Sequence, residues 1–286
     1  MSVNRDHYTD ELSDVLAQID SWSADVRGVE VFNASGPVAS YGETQSPVPV
    51  ASITKLATAW AVLIGVEEGA LGLNDPAGPP GSTIGHLLCH ASGLPFEGDT
   101  PIATPGVRRI YSNSGYELLA KHLESSTAIP FENYLQEAVL DPLEMTSTTL
   151  EGSPAAGLRS TTSDVARLGG ELLSPTLIDQ STWSQATTVN MAGLSGVLPG
   201  WGQQNPCPWG LGPEIRGPKS PHWTGLNAPP RTFGHFGALG SFLWIDAGVG
   251  FGCAAVTDRA FGDWAIEVWP GFSDAVRSVY LGLAEG

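Results

Sequence analysis

The stretch PVPVASITKLATAW, residues 47–60, places a lysine inside a run of alanine, leucine, isoleucine and tryptophan. From residue 52 to about residue 66 the chain is apolar almost all round, a pattern typical of a buried helix. Lysine is scarce in this sequence, because only Lys55, Lys121 and Lys219 stand against ten arginines. Since a buried charge costs free energy unless it is paired, the lysine at position 55 requires a chemical explanation.

Ser52 and Lys55 lie three positions apart, so on a helix their side chains share one face, one turn apart. A serine hydroxyl becomes a strong nucleophile when a neighbouring base takes its proton. A buried lysine can be that base because burial lowers its pKa, whereas arginine stays charged. The free amides at the helix N-terminus would stabilise negative charge developing at Ser52. The alternative is a helix-capping serine with a lysine that reaches the surface, and S-x-x-K alone does not decide between them.

The composition limits the protein class. The 286 residues are 42% hydrophobic and 15% charged, which predicts a compact globular protein with one large core or two closely joined lobes. The net charge of -17 repels phosphate backbones, so nucleic acid is not an expected partner. No apolar run reaches the ~18 residues of a membrane span. Residues 1–18 lack the features of a secretory signal, so we expect a cytoplasmic location with Cys89, Cys207 and Cys253 as free thiols.

The order of the predicted elements decides the fold class. A helix at residues 8–22 and two short strands at residues 26–42 precede a long, mainly helical part. Further strands and a closing helix at residues 272–285 follow His235. This order predicts an α+β (α/β three-layer) fold: one antiparallel sheet formed from both termini, flanked by the N- and C-terminal helices, with a large mainly helical region inserted.

The same order predicts two domains. We expect a sheet domain with terminal helices at residues 1–50 plus 222–286, a mainly helical domain at residues 51–221, and the active site between them. Within the helical part, Ser82 and Ser163 are the predicted N-caps of two helices.

The segment YSNSGY, residues 111–116, carries further candidate chemistry. A tyrosine phenol near a lysine ammonium could be held as phenolate, so Tyr111 is a candidate general base or proton shuttle. The Asn113 amide can orient Lys55 or bind a substrate carbonyl. The alternative is a turn in which Asn113 caps the following helix.

The segment FGHFGALG, residues 233–240, is the third candidate. His235 opens a strand, and Gly237 would let a substrate approach the strand backbone closely. An amide on this strand, paired with the amide of Ser52, could form an oxyanion hole. The alternative is a glycine-rich start of a strand with a surface histidine.

Taken in order, these segments resemble the S-x-x-K, Y-x-N and [KH]-x-G motifs of the serine β-lactamase and DD-peptidase superfamily. The chain is most similar to its class C β-lactamase-like branch, which includes family VIII carboxylesterases and D-aminopeptidases. Other stretches resemble that branch as well: IGHLLCHASGLP (84–95), LDPLEMTSTT (140–149) and GLRSTTSDVARL (157–168). The resemblance runs from about residue 28 to residue 272 and implies a β-lactamase/transpeptidase-like fold with no cofactor.

The resemblance also implies residue roles. Ser52 matches the nucleophile that forms the acyl-enzyme, and Lys55 and Tyr111 match the general-base pair. Asn113 matches the residue that supports the lysine and contacts the substrate. Ala238 falls at the position of the second oxyanion amide, beside Ser52 N–H.

The third motif, His235-Phe236-Gly237, departs from the β-lactamase pattern. His235 stands where β-lactamases usually carry lysine and where esterases often carry histidine. Phe236 replaces the Thr or Ser whose hydroxyl binds the substrate carboxylate in members that take β-lactams. We expect Phe236 to remove a polar anchor and add an apolar wall, which favours neutral esters or amides.

These observations predict a serine hydrolase that acts through an acyl-enzyme on a small ester, amide or short peptide, as a carboxylesterase or D-amino-acid peptidase does. A true β-lactamase or DD-carboxypeptidase is the alternative, and a catalytically silent binding module on the same fold is an alternative of another class. No metal is expected. His86, Cys89 and His90 have metal-like spacing, but position 87 lacks the glutamate of H-E-x-x-H and the segment matches a structural helix of the branch. The sequence does not indicate an oligomeric state.

Overall fold

A computed structural model describes residues 5–285, and side chains are described for residues 10–282. Its α-helices in this range are α1 (Arg5–Leu16), α2 (Thr54–Glu67), α3 (Ile84–Leu88), α4 (Asn113–Thr127), α5 (Phe131–Leu135), α6 (Thr162–Leu173), α7 (Gln180–Ala186) and α8 (Asp263–Glu285). Short 3-10 helices at Ala17–Trp22 and Ala51–Ile53 follow α1 and precede α2, and a π-helical turn at Gln136–Leu140 follows α5.

The strands form one large sheet and two small ones. They are β1 (Arg27–Asn33), β2 (Gly36–Gly42), β3 (Val48–Pro49), β4 (Thr149–Leu150), β5 (Leu158–Ser160), β6 (Gly196–Leu198), β7 (Gly202–Gln204), β8 (Glu214–Ile215), β9 (Phe233–Gly237), β10 (Ser241–Asp246) and β11 (Phe251–Thr257). The large sheet has the order β2-β1-β11-β10-β9-β8 and every pair is antiparallel. Because β1 pairs with β11, strands from both ends of the chain meet at the centre of the sheet.

Helices cover both faces of the large sheet. On one face Val29 and Val31 pack with residues of α1 and α8, including Leu12 and Trp269. On the other face α6 contacts β1, β10 and β11, because every second residue of these strands points to that side. The three layers and the antiparallel sheet confirm the predicted α+β fold.

The helix α2 explains the apolar stretch that contains Lys55. Its residues 54–65 are all buried, and α2 packs against α4 and α5 on the helical side of the molecule. A helix surrounded by protein on every side has no polar face, which accounts for the lack of amphipathic periodicity in the sequence.

Several helix boundaries differ from the predicted ones. Thr83 caps α3, one residue after the predicted Ser82, and Thr161 caps α6, two residues before the predicted Ser163. In S-T and T-T-S runs each hydroxyl is a suitable cap, and the extended backbone at the two threonines selects between them. The closing helix α8 begins at Asp263, nine residues before the predicted start, and continues through Pro270.

The described residues 5–285 contain no helix that is both long enough and apolar enough to pass through a lipid bilayer. We propose the division into a sheet domain of residues 1–50 plus 222–286 and a helical domain of residues 51–221. Residues 1–4 and residue 286, the outer ends of the first domain, lie outside the described residues.

Candidate active site

Ser52 and Lys55 lie at the start of the buried helix. The 3-10 turn Ala51–Ile53 carries Ser52 and runs directly into α2, whose second residue is Lys55. Ser52 is half-buried, whereas Lys55 is 0% exposed. The Lys55 Nζ atom lies 3.3 Å from Ser52 Oγ, so the expected one-turn pairing of these side chains is present.

Two other groups fix the position of the Lys55 amine. Nζ donates to Asn113 Oδ1 at 2.7 Å and to the backbone carbonyl of Ala155 at 2.8 Å. Burial lowers the pKa of Lys55 to about 7, although the Glu117 carboxylate acts in the opposite direction. A substantial fraction of Lys55 is therefore the neutral amine at neutral pH.

A neutral amine has two N–H donors and one lone pair. When the two donors are used by Asn113 and Ala155, the lone pair remains for the Ser52 hydroxyl. This arrangement can accept the Ser52 proton, which is what a serine nucleophile needs.

Tyr111 and His235 form the second half of the site. Nδ1 of His235 lies 2.7 Å from the Phe236 carbonyl, which can only accept, so Nδ1 carries the proton and Nε2 the lone pair. Tyr111 Oη lies 3.3 Å from that Nε2 and therefore donates to it. Burial, together with the positive charge of Lys55, lowers the pKa of His235 to about 4, which keeps the ring neutral.

The ionisation of Tyr111 differs from the phenolate that the sequence suggested. Burial raises its pKa above the usual value near 10, although a hydrogen bond with Ser52 acts in the opposite direction. Lys55 Nζ lies over the face of the Tyr111 ring, 4.7 Å from its centre. The neutral phenol is thus the favoured form, and it can relay a proton but is not itself a strong base.

Asn113 is the first residue of α4 but does not cap it. The cap is Ser112, whose Oγ accepts from the Gly115 amide at 3.0 Å. Because Ser112 caps the helix, the Asn113 side chain is free to hold Lys55. Of the two alternatives for Asn113, the structure shows the contact with Lys55.

The packing at Gly237 leaves no room for a side chain. A Cβ atom on Gly237 would lie 2.3 Å from the Val50 carbonyl oxygen and 3.4 Å from Ala51 Cβ. The end of β9 therefore packs directly against the residues that precede Ser52. Ala238, the next residue along the chain, is exposed.

Phe236 does not form the apolar wall that was expected. Successive side chains of a strand point to opposite faces, so Phe236 points away from His235. Phe236 is 8% exposed and packs with Trp201 at 5.5 Å and Phe261 at 5.1 Å between ring centres, in the core beneath α8. The absence of a hydroxyl at position 236 remains, but the wall expected there was wrong.

An apolar cleft adjoins the site at Tyr111. Its volume is about 440 Å³, and its walls include Phe96, Ile102 and Val197, which are 52%, 56% and 60% exposed. Large apolar side chains with such exposure usually mark a binding surface when they cluster. The Phe96 ring stacks on the Tyr111 ring, with 6.1 Å between centres, so the cleft leads to the candidate catalytic groups.

The sequence reasoning missed several groups around the site. The Ala155 carbonyl has no sequence signal, because any residue supplies a carbonyl. Arg109 is 4% exposed and donates to the backbone carbonyls of Cys207, Cys89, Asn190 and Met191, which ties together the loops behind Tyr111. No feature of the sequence indicates that this arginine is buried rather than exposed.

A buried ionic cluster was also missed. Lys219 donates to Glu214 Oε1, which His222 Nε2 also contacts at 2.9 Å, and Trp223 Nε1 donates to Glu214 Oε2 at 2.7 Å. Burial would raise the pKa of Glu214, but the charges and hydrogen bonds of Lys219 and His222 together outweigh burial and hold the pKa well below its usual range. The scarcity of lysine, which drew attention to Lys55, applied equally to Lys219.

The histidines and cysteine of the metal-like pattern have other contacts. His86 Nδ1 lies 2.9 Å from Thr83 Oγ1, and Cys89 Sγ lies 3.7 Å from Met191 Sδ. Among the residues with described side chains, no three His, Cys, Asp or Glu groups come together in a way that could hold a metal ion.

Comparison with known proteins gives consistent results. The sequence model of the Beta-lactamase family matches residues 25–269. The crystal structure of a beta-lactamase from Mycobacterium bovis has a TM-score of 0.91 and 45% sequence identity, and the match covers 93% of this chain and 99% of that chain.

Two less similar proteins carry descriptions of other activities. The D-alanyl-D-alanine-carboxypeptidase/endopeptidase AmpH of Escherichia coli is 30% identical over 40% of this chain and 42% of its own length. The match thus spans less than half of this curated relative. EstCE1, a hydrolase with promiscuous acyltransferase activity, has a TM-score of 0.74 and 16% identity over 95% of this chain and 99% of that chain, which shows a common fold.

Proposed function

The chain belongs to the Beta-lactamase family, and from this premise we propose that it is a serine hydrolase that forms an acyl-enzyme at Ser52. One observation carries the proposal: Lys55, with a pKa lowered to about 7, lies 3.3 Å from Ser52 Oγ while Asn113 and Ala155 accept its hydrogens. A base whose pKa lies near the working pH combines the correct protonation state with sufficient basicity.

In the proposed reaction Ser52 Oγ attacks a substrate carbonyl carbon and Lys55 takes the hydroxyl proton. The amides of Ser52 and Ala238 hold the carbonyl oxygen as it becomes negative. The proton then passes to the leaving group through the neutral Tyr111 hydroxyl, whose position His235 fixes. Water attacks the acyl-enzyme by the reverse sequence of proton transfers and releases the acid and Ser52.

We propose a small uncharged ester or amide as the substrate. The support now comes from the apolar cleft beside Tyr111 rather than from Phe236, because a cleft walled by Phe96, Ile102 and Val197 favours an apolar acyl group. Each methylene group buried there adds about 0.8 kcal/mol of binding free energy. Hydrolysis of p-nitrophenyl esters should therefore become more efficient from acetate to butyrate and hexanoate.

A second candidate is a β-lactamase or DD-carboxypeptidase. It is favoured by the names of the Mycobacterium bovis structure and the Escherichia coli relative. Parallel assays with nitrocefin, a D-alanyl-D-alanine peptide and the p-nitrophenyl esters separate the two candidates. Faster turnover of nitrocefin or of the peptide than of the best ester would replace the first proposal with the second.

The acyl-enzyme itself is tested by labelling. A fluorophosphonate should add to Ser52 in the folded protein, and mass spectrometry of the digested protein locates the adduct. Ser52→Ala should abolish the adduct, whereas Ser92→Ala, a matched change at a buried serine of the loop after α3, should retain it. Folded protein without any adduct at Ser52 contradicts the proposal. An acyl adduct that forms from a p-nitrophenyl ester and never turns over supports the binding module instead.

A further inference from the structure

His90 holds the chain on both sides of Tyr111. The Ile110 amide donates to the His90 carbonyl at 2.9 Å, and the Ser112 amide donates to His90 Nδ1 at 3.2 Å. A single residue thus accepts hydrogen bonds from both neighbours of Tyr111. This arrangement leaves the backbone at Tyr111 little freedom to shift or rotate.

The His90 ring also packs on the Tyr111 ring. Their centres are 4.5 Å apart, and the His90 ring meets Trp209 edge to face at 5.0 Å. Trp209 in turn lies 6.0 Å from the Tyr111 ring and 5.8 Å from His235. Tyr111 is therefore fixed through its backbone and through its ring by the same residue.

The hydrogen bond from Ser112 determines the tautomer of His90. Because Nδ1 accepts, the ring proton lies on Nε2, which has no hydrogen-bond partner among the side chains described. Burial, with the positive charge of Lys55, lowers the pKa of His90 well below its usual value and keeps the ring neutral. A protonated ring would donate from Nδ1 and could not accept from Ser112.

We propose that His90 is a positioning residue for Tyr111: its carbonyl, its Nδ1 and its ring together hold the Tyr111 hydroxyl in line with Ser52 and His235. This inference rests on the proposed function, because it assigns His90 a role in the proton relay through Tyr111. It also explains His90, the last residue of the metal-like His86-Cys89-His90 spacing, without a metal.

The backbone of His90 suggests a matched pair of variants. Its φ of +58° lies in the left-handed region, which asparagine and glycine adopt more easily than other residues. His90→Asn keeps an oxygen acceptor near the position of Nδ1, whereas His90→Gly keeps the backbone conformation and removes the acceptor. Both variants lose the ring, so their difference reports on the hydrogen bond to Ser112.

We expect His90→Gly to lower kcat at least about tenfold with KM changed less than about twofold, and His90→Asn to recover a large part of kcat. A Tyr111→Phe background provides the decisive comparison, because His90→Gly should then have almost no further effect on kcat. Equal losses from His90→Gly with and without Tyr111→Phe would overturn the proposal. So would equal kcat values for His90→Asn and His90→Gly.

Two controls separate this proposal from the proposed function. Circular dichroism and thermal unfolding identify a variant that fails to fold, and fluorophosphonate labelling of the unsubstituted protein tests Ser52 independently. If the unsubstituted protein is inactive, crystal structures of the two variants still test His90. The Tyr111 hydroxyl should leave His235 in His90→Gly and remain near it in His90→Asn, and an unmoved Tyr111 in both refutes the positioning role.

Discussion

The Lys55 Nζ atom lies 2.7 Å from Asn113 Oδ1, although the two residues are 58 positions apart in the chain. An amide oxygen accepts a hydrogen bond from an amine without the full negative charge that would favour the ammonium form. Asn113 therefore orients Lys55 while allowing burial to keep its pKa near 7. This relationship between a neutral acceptor and a buried lysine underlies the pH dependence expected of the protein.

The unsubstituted protein should lose activity below about pH 7. Burial lowers the pKa of Lys55 to about 7, so Lys55 is protonated at lower pH and cannot take the Ser52 proton. The plot of log(kcat/KM) against pH should rise with unit slope to about pH 7 and then level off. His122→Gln is the control, because His122 lies on α4 about 13 Å along the helix from Asn113. An unchanged curve in that variant excludes this histidine as the titrating group.

Asn113→Asp should move the rising part of the plot of log(kcat/KM) against pH to higher pH. A carboxylate at this position stabilises the Lys55 ammonium, which raises the Lys55 pKa by about 1–3 units. Activity at pH 7 should fall by about tenfold per unit and recover as the pH is raised. Asn113→Ala, which removes the acceptor without adding charge, should lower the rate without raising the pH at which activity rises. If activity in Asn113→Asp rises at the same pH as in the unsubstituted protein, Lys55 is not the base.

Gly237→Ala should destabilise the protein. The added Cβ would lie 2.3 Å from the Val50 carbonyl oxygen, so β9 or the segment before Ser52 must move. We expect the free energy of unfolding in urea to fall by about 1–3 kcal/mol. Gly170→Ala is the matched control: Gly170 lies within α6 with no atom near the added methyl group, and the change should stabilise the protein by about 0.5–1 kcal/mol. Equal effects of the two changes would contradict the packing argument.

Phe236→Thr restores the hydroxyl of the β-lactam-binding pattern but should mainly reduce stability. Phe236 is buried among aromatic rings, and the loss of a buried phenyl ring costs about 3–5 kcal/mol. Phe96→Thr, at an exposed phenyl group, should change the free energy of unfolding by about 0.5 kcal/mol or less and instead reduce hydrolysis of the longer-chain esters. A stable Phe236→Thr protein that hydrolyses penicillins would show that residue 236 does reach the substrate.

The Glu214–Lys219 ion pair should show strong coupling. Glu214→Gln or Lys219→Met alone leaves a buried charge without its partner, which costs about 3–5 kcal/mol in the free energy of unfolding. The double variant should lose much less than the sum of the two single losses, because it leaves neither charge buried. Urea unfolding of the four proteins measures the coupling. Additive losses would mean that the two side chains do not depend on each other in the folded protein.

The sequence by itself determined the fold class and the identity of the candidate residues. Strand and helix patterns depend on local periodicity, so the antiparallel sheet from both chain ends and the buried α2 followed from residue order. The ordered motifs selected Ser52, Lys55, Tyr111, Asn113 and His235. The structure brings these side chains together: Lys55 contacts Ser52 and Asn113 and lies over the ring of Tyr111, which in turn contacts His235.

Only the tertiary structure decided which way each side chain points and what lies behind it. Phe236 and His235 are adjacent in sequence, yet strand alternation sends one into the core beneath α8 and the other into the site. The helix caps at Thr83, Ser112 and Thr161 depended on backbone angles that neighbouring hydroxyl residues do not reveal. The Ala155 carbonyl acts through a backbone atom that every residue has. Such contacts join segments distant in the chain, and for that reason no local pattern of residues encodes them.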